Sequence, residues 1–285
     1  WEGINRLLES EDALLGSMDR EGVAARVINT PLEFLQDKDG NVPDGTVPRI
    51  NDAVARLVDR HRGRLHGLAT VDAYEGDASA RELVRAVKDL GLRGVFIESA
   101  KGDLLPDASE ARPTFAAAAE LGVPVFLHPV EDDKLRSRLK PYGRLGGRLA
   151  RGTINSFALL SLLEGGVFDE LPSLQVVVTA LAAGGLFLIG GFADGAKTRA
   201  DTPAALRRQV YLDTTGLHPA MIRGAVELLG ADHVVMGTDW PVAQESGARM
   251  RAALSGAGLT AGQQRLDRKS TRLNSSHVSE FRMPS

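Results

Sequence analysis

Two segments of this chain lead an apolar strand directly into a residue able to do metal or acid–base chemistry. Val234-Val235-Met236-Gly237 runs into Thr238-Asp239-Trp240-Pro241, and Val123-Pro124-Val125-Phe126-Leu127 runs into His128-Pro129. In parallel α/β proteins the carboxyl ends of strands carry the chemistry, because the loops that follow them converge on one crevice. An imidazole and a carboxylate at two such ends are ligand types for a divalent cation. A bound cation can lower the pKa of water or polarise a substrate oxygen. His128 is a candidate metal ligand; its plainer reading is a hydrogen-bonded buried histidine. Asp239 is a candidate ligand and proton carrier; its plainer reading is a helix N-cap.

Further candidates stand at neighbouring strand ends. Glu98 closes Gly94-Val95-Phe96-Ile97, and Asp213 closes Val210-Tyr211-Leu212. Either can face the same mouth and contact substrate, or serve as a structural acceptor. His218, on the loop after Asp213, is a candidate for acid–base work, against a capping or solvated role. The segment after His128 carries Lys134, Arg136, Arg138, Lys140, Arg144, Arg148 and Arg151. It reads as a long basic loop whose cations, Arg144 among them, could steer a carboxylate; a solvated loop is the plainer account. His61, His66 and His233 fall on helices or strand entrances, away from that mouth. The pairs Gly184-Gly185 and Gly190-Gly191 match neither phosphate-binding glycine pattern.

These residues need a scaffold of alternating strands and helices. Strand patterns occur at 25–29, 65–71, 94–97, 123–127, 174–179, 210–212 and 234–236. Helical periodicity is visible over 51–62, over Ser79 to Leu90 behind a Ser79/Glu82 capping box, over 114–121, 154–163 and 219–229, and a final helix would begin at Leu259. Alternation at this spacing predicts a parallel sheet, and seven units plus one more predict an eight-unit barrel.

The chain has 285 residues, 43% hydrophobic and 25% charged, which suits one large α/β domain. A formal net charge of -3, with no strongly basic or acidic block dominating the chain, argues against nucleic-acid binding. There is no cysteine, so thiolate metal sites are excluded and a cytoplasmic setting is expected. Leu171 to Ala193 carries no charge, but Pro172, Val176-Val177-Val178 and the glycine pairs read as strand, turn and helix start rather than a membrane span. Asp267 to Ser285 is polar and aperiodic; it reads as a foreign, adapter-derived, disordered tail, leaving 1–266 as the domain.

Taken together, Met18–Val23, Gly91–Val95, Val123–Pro129, Tyr211–Gly216 and Gly230–Pro241 resemble the amidohydrolase superfamily. The similarity runs from Leu14 to Leu266. It is nearest the branch of aminocarboxymuconate-semialdehyde decarboxylase and the resorcylate-type decarboxylases. The resemblance implies a (β/α)₈ TIM-like barrel holding one divalent ion, zinc or manganese, and a chain lacking the barrel's first strand and last helix. It implies a hydrolase or decarboxylase acting on a small carboxylated, cyclic substrate; apart from the resemblance, assembly into a homo-oligomer is allowed for. The family's fifth-strand ligand falls on His128 and its eighth-strand ligand on Asp239. Two features depart from the family. No His-x-His, the first-strand ligand pair, occurs in the chain, and Val178 to Gly185 lacks the histidine expected after the sixth strand. The alternative is a catalytically inert barrel that binds a small molecule or a protein.

Overall fold

A computed structural model describes residues 6–7, 10–37, 40–191, 202–243 and 246–263. The tail from 267 onward, read above as foreign, lies outside the described residues. Helix α1 (Glu11–Glu21) precedes strand β1 (Arg26–Ile28). Then follow α2 (Thr46–Arg60), β2 (Leu65–Gly67), β3 (Ala69–Thr70), α3 (Asp77–Lys88), β4 (Val95–Glu98), α4 (Arg112–Leu121) and β5 (Val125–His128). The second half comprises α5 (Asp133–Leu139), α6 (Gly143–Glu164), α7 (Val167–Glu170), β6 (Val176–Val178), α8 (Ala183–Gly191), α9 (Thr202–Gln209), β7 (Val210–Asp213), α10 (Pro219–Leu229), β8 (Val234–Val235) and α11 (Ser246–Gly256).

Every strand pairing is parallel and joins neighbours in sequence. β2 and β3 are two halves of one run. Leu68 N–H donates to Ile28 O at 2.9 Å and Ala69 N–H to Gly94 O at 2.8 Å, so the run passes from pairing with β1 to pairing with β4. The first and last elements also meet. The Arg26 guanidinium lies 5.4 Å from the centre of the Trp240 ring, and Arg251 Nη1 donates to Glu21 O at 2.6 Å.

Side-chain alternation shows how the ring is filled. One small buried cluster takes a single residue from each strand position: Val27, Leu68, Phe96, Phe126, Val177 and Val235, with Tyr211 packed against it. The intervening residues, such as Val95, Ile97, Val125, Leu127, Val176, Val178, Leu212 and Val234, belong to the larger core shared with the helices. Successive residues of a strand face opposite sides, so the small cluster is the apolar plug of a barrel and the large one its outer layer. This is the (β/α) barrel architecture expected from the alternation.

Local differences from the sequence reading have physical causes. The segment read as a basic loop is helical, as α5 and the first half of α6. Asp132 caps α5 by accepting from Leu135 N–H at 2.7 Å. Ser79 and Glu82 form no capping box. The Ser79 hydroxyl donates to Asp72 O, while Glu82 is taken by Asn51 Nδ2 at 2.7 Å and Arg85 Nε at 2.8 Å. A helix after the last strand, α11, was not visible as a periodicity. No helix among the described residues is long and apolar enough to cross a membrane.

His66 sits two residues before Leu68, at the amino-terminal end of the barrel, and is half-buried. Burial, and secondarily Arg93, lower its pKa from the ordinary 6.5. The unfolded chain therefore takes up this proton before the folded one does. Above the ordinary value His66 contributes no pH dependence. As pH falls through it, stability is lost until the folded imidazole protonates as well. Urea unfolding at about pH 7.5 and about pH 5.5 should show a smaller acid loss in His66→Gln than in wild type; equal losses would mean that His66 does not contribute.

Candidate active site

The residues two positions beyond the apolar plug are Asn29, Thr70, Glu98, His128, Thr179, Asp213 and Gly237. They face the same side as the plug, one layer nearer the carboxyl ends of the strands. All but the glycine are polar, and all six polar ones are buried. The barrel thus changes from hydrocarbon to hydrogen-bonding groups within one step along each strand. Glu98 and His128 are direct register partners across β4 and β5.

A cleft of 1420 Å³ opens over the carboxyl ends of β1 to β5; its walls include Glu33, Tyr74, Glu98, Lys101, Lys134 and Arg151. His128 lies behind Glu98, each only 9% exposed. His128 Nδ1 is 2.7 Å from Glu98 Oε2, and its Nε2 is 3.1 Å from Arg151 Nη2 and 3.8 Å from Glu33 Oε1. A guanidinium can only donate. The tautomer follows: Nδ1–H donates to Glu98, and the Nε2 lone pair faces the cleft side, where Arg151 donates to it. Glu98 also accepts from Glu33 N–H at 3.2 Å, which ties the loop after β1 to the imidazole. Burial raises the Glu33 carboxyl above the usual carboxylate range, with the Glu98 carboxylate adding to the rise and Arg151 opposing it.

Asp239 stands beyond β8 with φ 52°, the one non-glycine residue with positive φ among those described, immediately before a cis Trp240-Pro241 bond. Its carbonyl accepts from Ala243 N–H at 2.7 Å, turning the chain over the barrel end. Aspartate tolerates the left-handed region better than most residues, and such strain concentrates at functional positions. Nearby, Thr238 Oγ1, Thr214 Oγ1 and Thr215 Oγ1 are buried without hydrogen-bond partners among the described residues.

The remaining candidates are placed differently from their functional readings. Asp213 is fully buried, and its Oδ1 accepts from Thr215 N–H at 2.8 Å and Ala180 N–H at 3.3 Å. It braces the loops after β6 and β7 and is out of a substrate's reach. A Cβ on Gly237 would lie 2.9 Å from that carboxyl group, so a glycine is needed for β8 to pass. His218 is the N-cap of α10, its Nδ1 accepting from Ala220 N–H at 3.2 Å, and is exposed outside the cleft. Capping, not acid–base work, accounts for it. Arg144 is exposed at the start of α6 and does not line the cleft. Arg151, seven residues on and so on the same helical face, does. Glu33 was not singled out in the sequence. It sits after a non-alternating Thr-Pro-Leu segment, and nothing local marks it.

The cation implied by the resemblance meets a partial donor set. His128 has the tautomer of a metal-binding imidazole, with a carboxylate behind Nδ1, but Arg151 donates to its Nε2 lone pair here, and a cation would take the place of that hydrogen bond. Among the described residues no group of three or more His, Asp or Glu side chains converges to hold an ion. Glu98→Gln should lower metal affinity or turnover about 10–100-fold by releasing the imidazole. Metal titration and steady-state rates would check this; values within twofold of wild type would leave Glu98 without that function.

Comparison with known proteins agrees with this architecture. The amidohydrolase family model matches residues 7–264. Gamma-resorcylate decarboxylase of Polaromonas sp. (strain JS666) is 27% identical over 258 residues, covering 83% of this chain and 78% of that protein. The 2-amino-3-carboxymuconate-6-semialdehyde decarboxylase of Dictyostelium discoideum is 28% identical over 243 residues, 81% of this chain and 66% of that protein. The fold matches a 2,6-dihydroxybenzoate decarboxylase solved with 2,6-dihydroxybenzoate at a TM-score of 0.81 and 22% identity, covering 96% of this chain and 90% of that one. It also matches a dihydroxybenzoic acid decarboxylase from Polaromonas sp. JS666, solved with manganese and 2-nitroresorcinol, at a TM-score of 0.79 and 21% identity, covering 94% and 86%. The chain belongs to the amidohydrolase family of metal-dependent hydrolases and carboxy-lyases.

Proposed function

We propose that this chain is a metal-dependent decarboxylase of small aromatic carboxylates, with manganese or zinc as cofactor and a cytoplasmic setting. One observation carries the reading: a carboxylate-braced imidazole at a strand end, beside a guanidinium and under an open cleft. The resorcylate-type relatives support decarboxylation over hydrolysis.

His128 and Asp239 are the described residues that would hold the cation. When bound, it would polarise a substrate oxygen. The chain's own groups account for the remainder. Glu98 keeps the His128 lone pair directed at the site. The apolar plug beneath the polar layer closes the barrel to water from below. Asp239 hands a proton to the ring carbon that bears the carboxylate; the bond to that carboxylate then breaks, its electrons restore the aromatic ring, and CO₂ leaves.

The test is an assay of the purified protein against hydroxylated benzoates, including 2,6-dihydroxybenzoate, with manganese or zinc added. Metal-dependent release of CO₂, stopped by a chelator, is expected. Hydrolysis of lactones with no CO₂ from any acid would replace this reading with the hydrolase one.

A further inference from the structure

Arg151 has features that its helix does not need. It projects from α6 into the cleft wall, and its side chain is 30% exposed. Nε and Nη2 both donate to Pro129 O, at 2.9 and 2.7 Å, so the plane of the guanidinium is locked to the turn that follows His128. Nη2 spends its second hydrogen on His128 Nε2. Nη1 has no hydrogen-bond partner among the described residues. The nearest carboxylate oxygen, Glu33 Oε1, is 3.8 Å from Nη2, too far for a hydrogen bond.

The other cations of the cleft differ. Lys101 is held between Asp72, at 2.8 Å, and Glu75. Lys134 is exposed on the rim, on a flexible stem. Arg151 alone among the three is fixed to the backbone, through Pro129 O, with Nη1 left open. A charged guanidinium N–H held in place in this way makes a strong hydrogen bond to a carboxylate.

We infer that Arg151 is the anchor for the substrate's carboxylate, holding it beside His128 through Nη1. The inference rests on the proposed aromatic acid substrate and assigns the group that recognises its charge. Glu33, beside the guanidinium, then sets an upper limit on how many negative charges the site accepts. A second carboxylate at that position would face Glu33 and Glu98 together, so monocarboxylates should be preferred to dicarboxylates.

The experiment compares binding of 2,6-dihydroxybenzoate with that of resorcinol, the same ring without the carboxylate, by titration calorimetry on the full chain. Wild type, Arg151→Gln and Arg151→Lys are measured, with thermal unfolding as a check on folding. Arg151→Gln should bind the acid at least about tenfold more weakly and resorcinol within about twofold of wild type, since only the charged hydrogen bonds are lost. Arg151→Lys should recover part of the acid binding. Equal losses for both ligands would make Arg151 a positioning residue for His128 and overturn the inference, as would unchanged acid binding or a wild type that binds neither ligand. The two readings fail separately. A wild type that binds the acid through Arg151 but releases no CO₂ loses the decarboxylase reading alone. One that releases CO₂ with an unchanged KM in Arg151→Gln loses the anchor alone.

Discussion

Replacing Asp239 by Asn should reduce kcat by about a hundredfold to ten-thousandfold, the range for loss of a positioned proton carrier. Asparagine is the informative substitution because it occupies nearly the same volume and also tolerates the left-handed backbone region. The φ of 52° at this position and the acceptance from Ala243 N–H by its carbonyl should therefore survive. The charge is removed, and with it the capacity of the side chain to carry a proton and to hold a cation through an anionic oxygen. Steady-state kinetics with 2,6-dihydroxybenzoate and saturating manganese would measure it, alongside circular dichroism to verify the fold. A rate within a few-fold of wild type would exclude Asp239 from proton transfer, and Asp239 would then be a turn-forming residue. Asp239→Ala is a poorer probe, since alanine at positive φ adds backbone strain of about 1 kcal/mol to any chemical effect.

The second large effect concerns stability at the junction of the first and last elements. Arg26 is completely buried. Nη1 donates to Ser17 Oγ at 2.7 Å, its charge is faced by Glu21 at 3.6 Å, and the Trp240 ring covers it. Burial lowers its pKa to about 10, so it remains cationic at neutral pH, and Glu21 opposes that lowering. Removing one partner of a buried pair leaves an uncompensated charge, which costs about 3–5 kcal/mol. Glu21→Ala should therefore lower stability by about 3 kcal/mol, the lower end being appropriate to a pair without direct hydrogen-bond contact. Glu21 Oε2 also accepts from Gly247 N–H at 3.2 Å, at the start of α11. Glu21→Gln keeps that acceptor and loses only the charge, so the difference between the two variants separates the ion pair from the clasp. In the double variant Arg26→Met with Glu21→Ala, much of the loss should return, because no buried charge is stranded. Urea unfolding curves would decide it; a loss under about 0.5 kcal/mol for Glu21→Ala would mean that water reaches the guanidinium.

The two variants probe one arrangement from opposite sides. Asp239 and Trp240 are adjacent, and Trp240 lies over Arg26. The turn that sets the candidate proton carrier is thus also the turn that joins the end of the barrel to its beginning. Weakening the Arg26 contact should be felt in the geometry of Asp239, whereas Asp239→Asn should leave stability nearly unchanged. This asymmetry distinguishes a chemical role for the carboxylate from a structural one.

The alternation of strands with helices, the seven strand positions and the carboxyl-end placement of His128 and Asp239 were all determined by the sequence alone. Each rests on short-range chemistry: β-branched runs bounded by Gly and Pro, and apolar residues at helical spacing. The same signals are silent where long-range contacts compete. Ser79 and Glu82 match a capping box, yet Asn51 and Arg85, distant or on the same helix, claim the glutamate. The basic segment after His128 looks like a loop because its apolar positions are sparse; it is helical because Asp132 caps α5 and α6 packs on its neighbours. Only the tertiary structure decided which candidate groups face the cleft. Asp213 and His218 were drawn into backbone hydrogen bonds, and Arg144 was left in solvent. Arg151 and Glu33, which lie 118 residues apart in number, were brought to the same nitrogen, Nε2, of the His128 imidazole. A strand pattern says that a residue stands at a strand's end, but the partner of a polar side chain is chosen by whichever donor or acceptor the completed barrel places within about 3 Å, and that choice is not local in sequence.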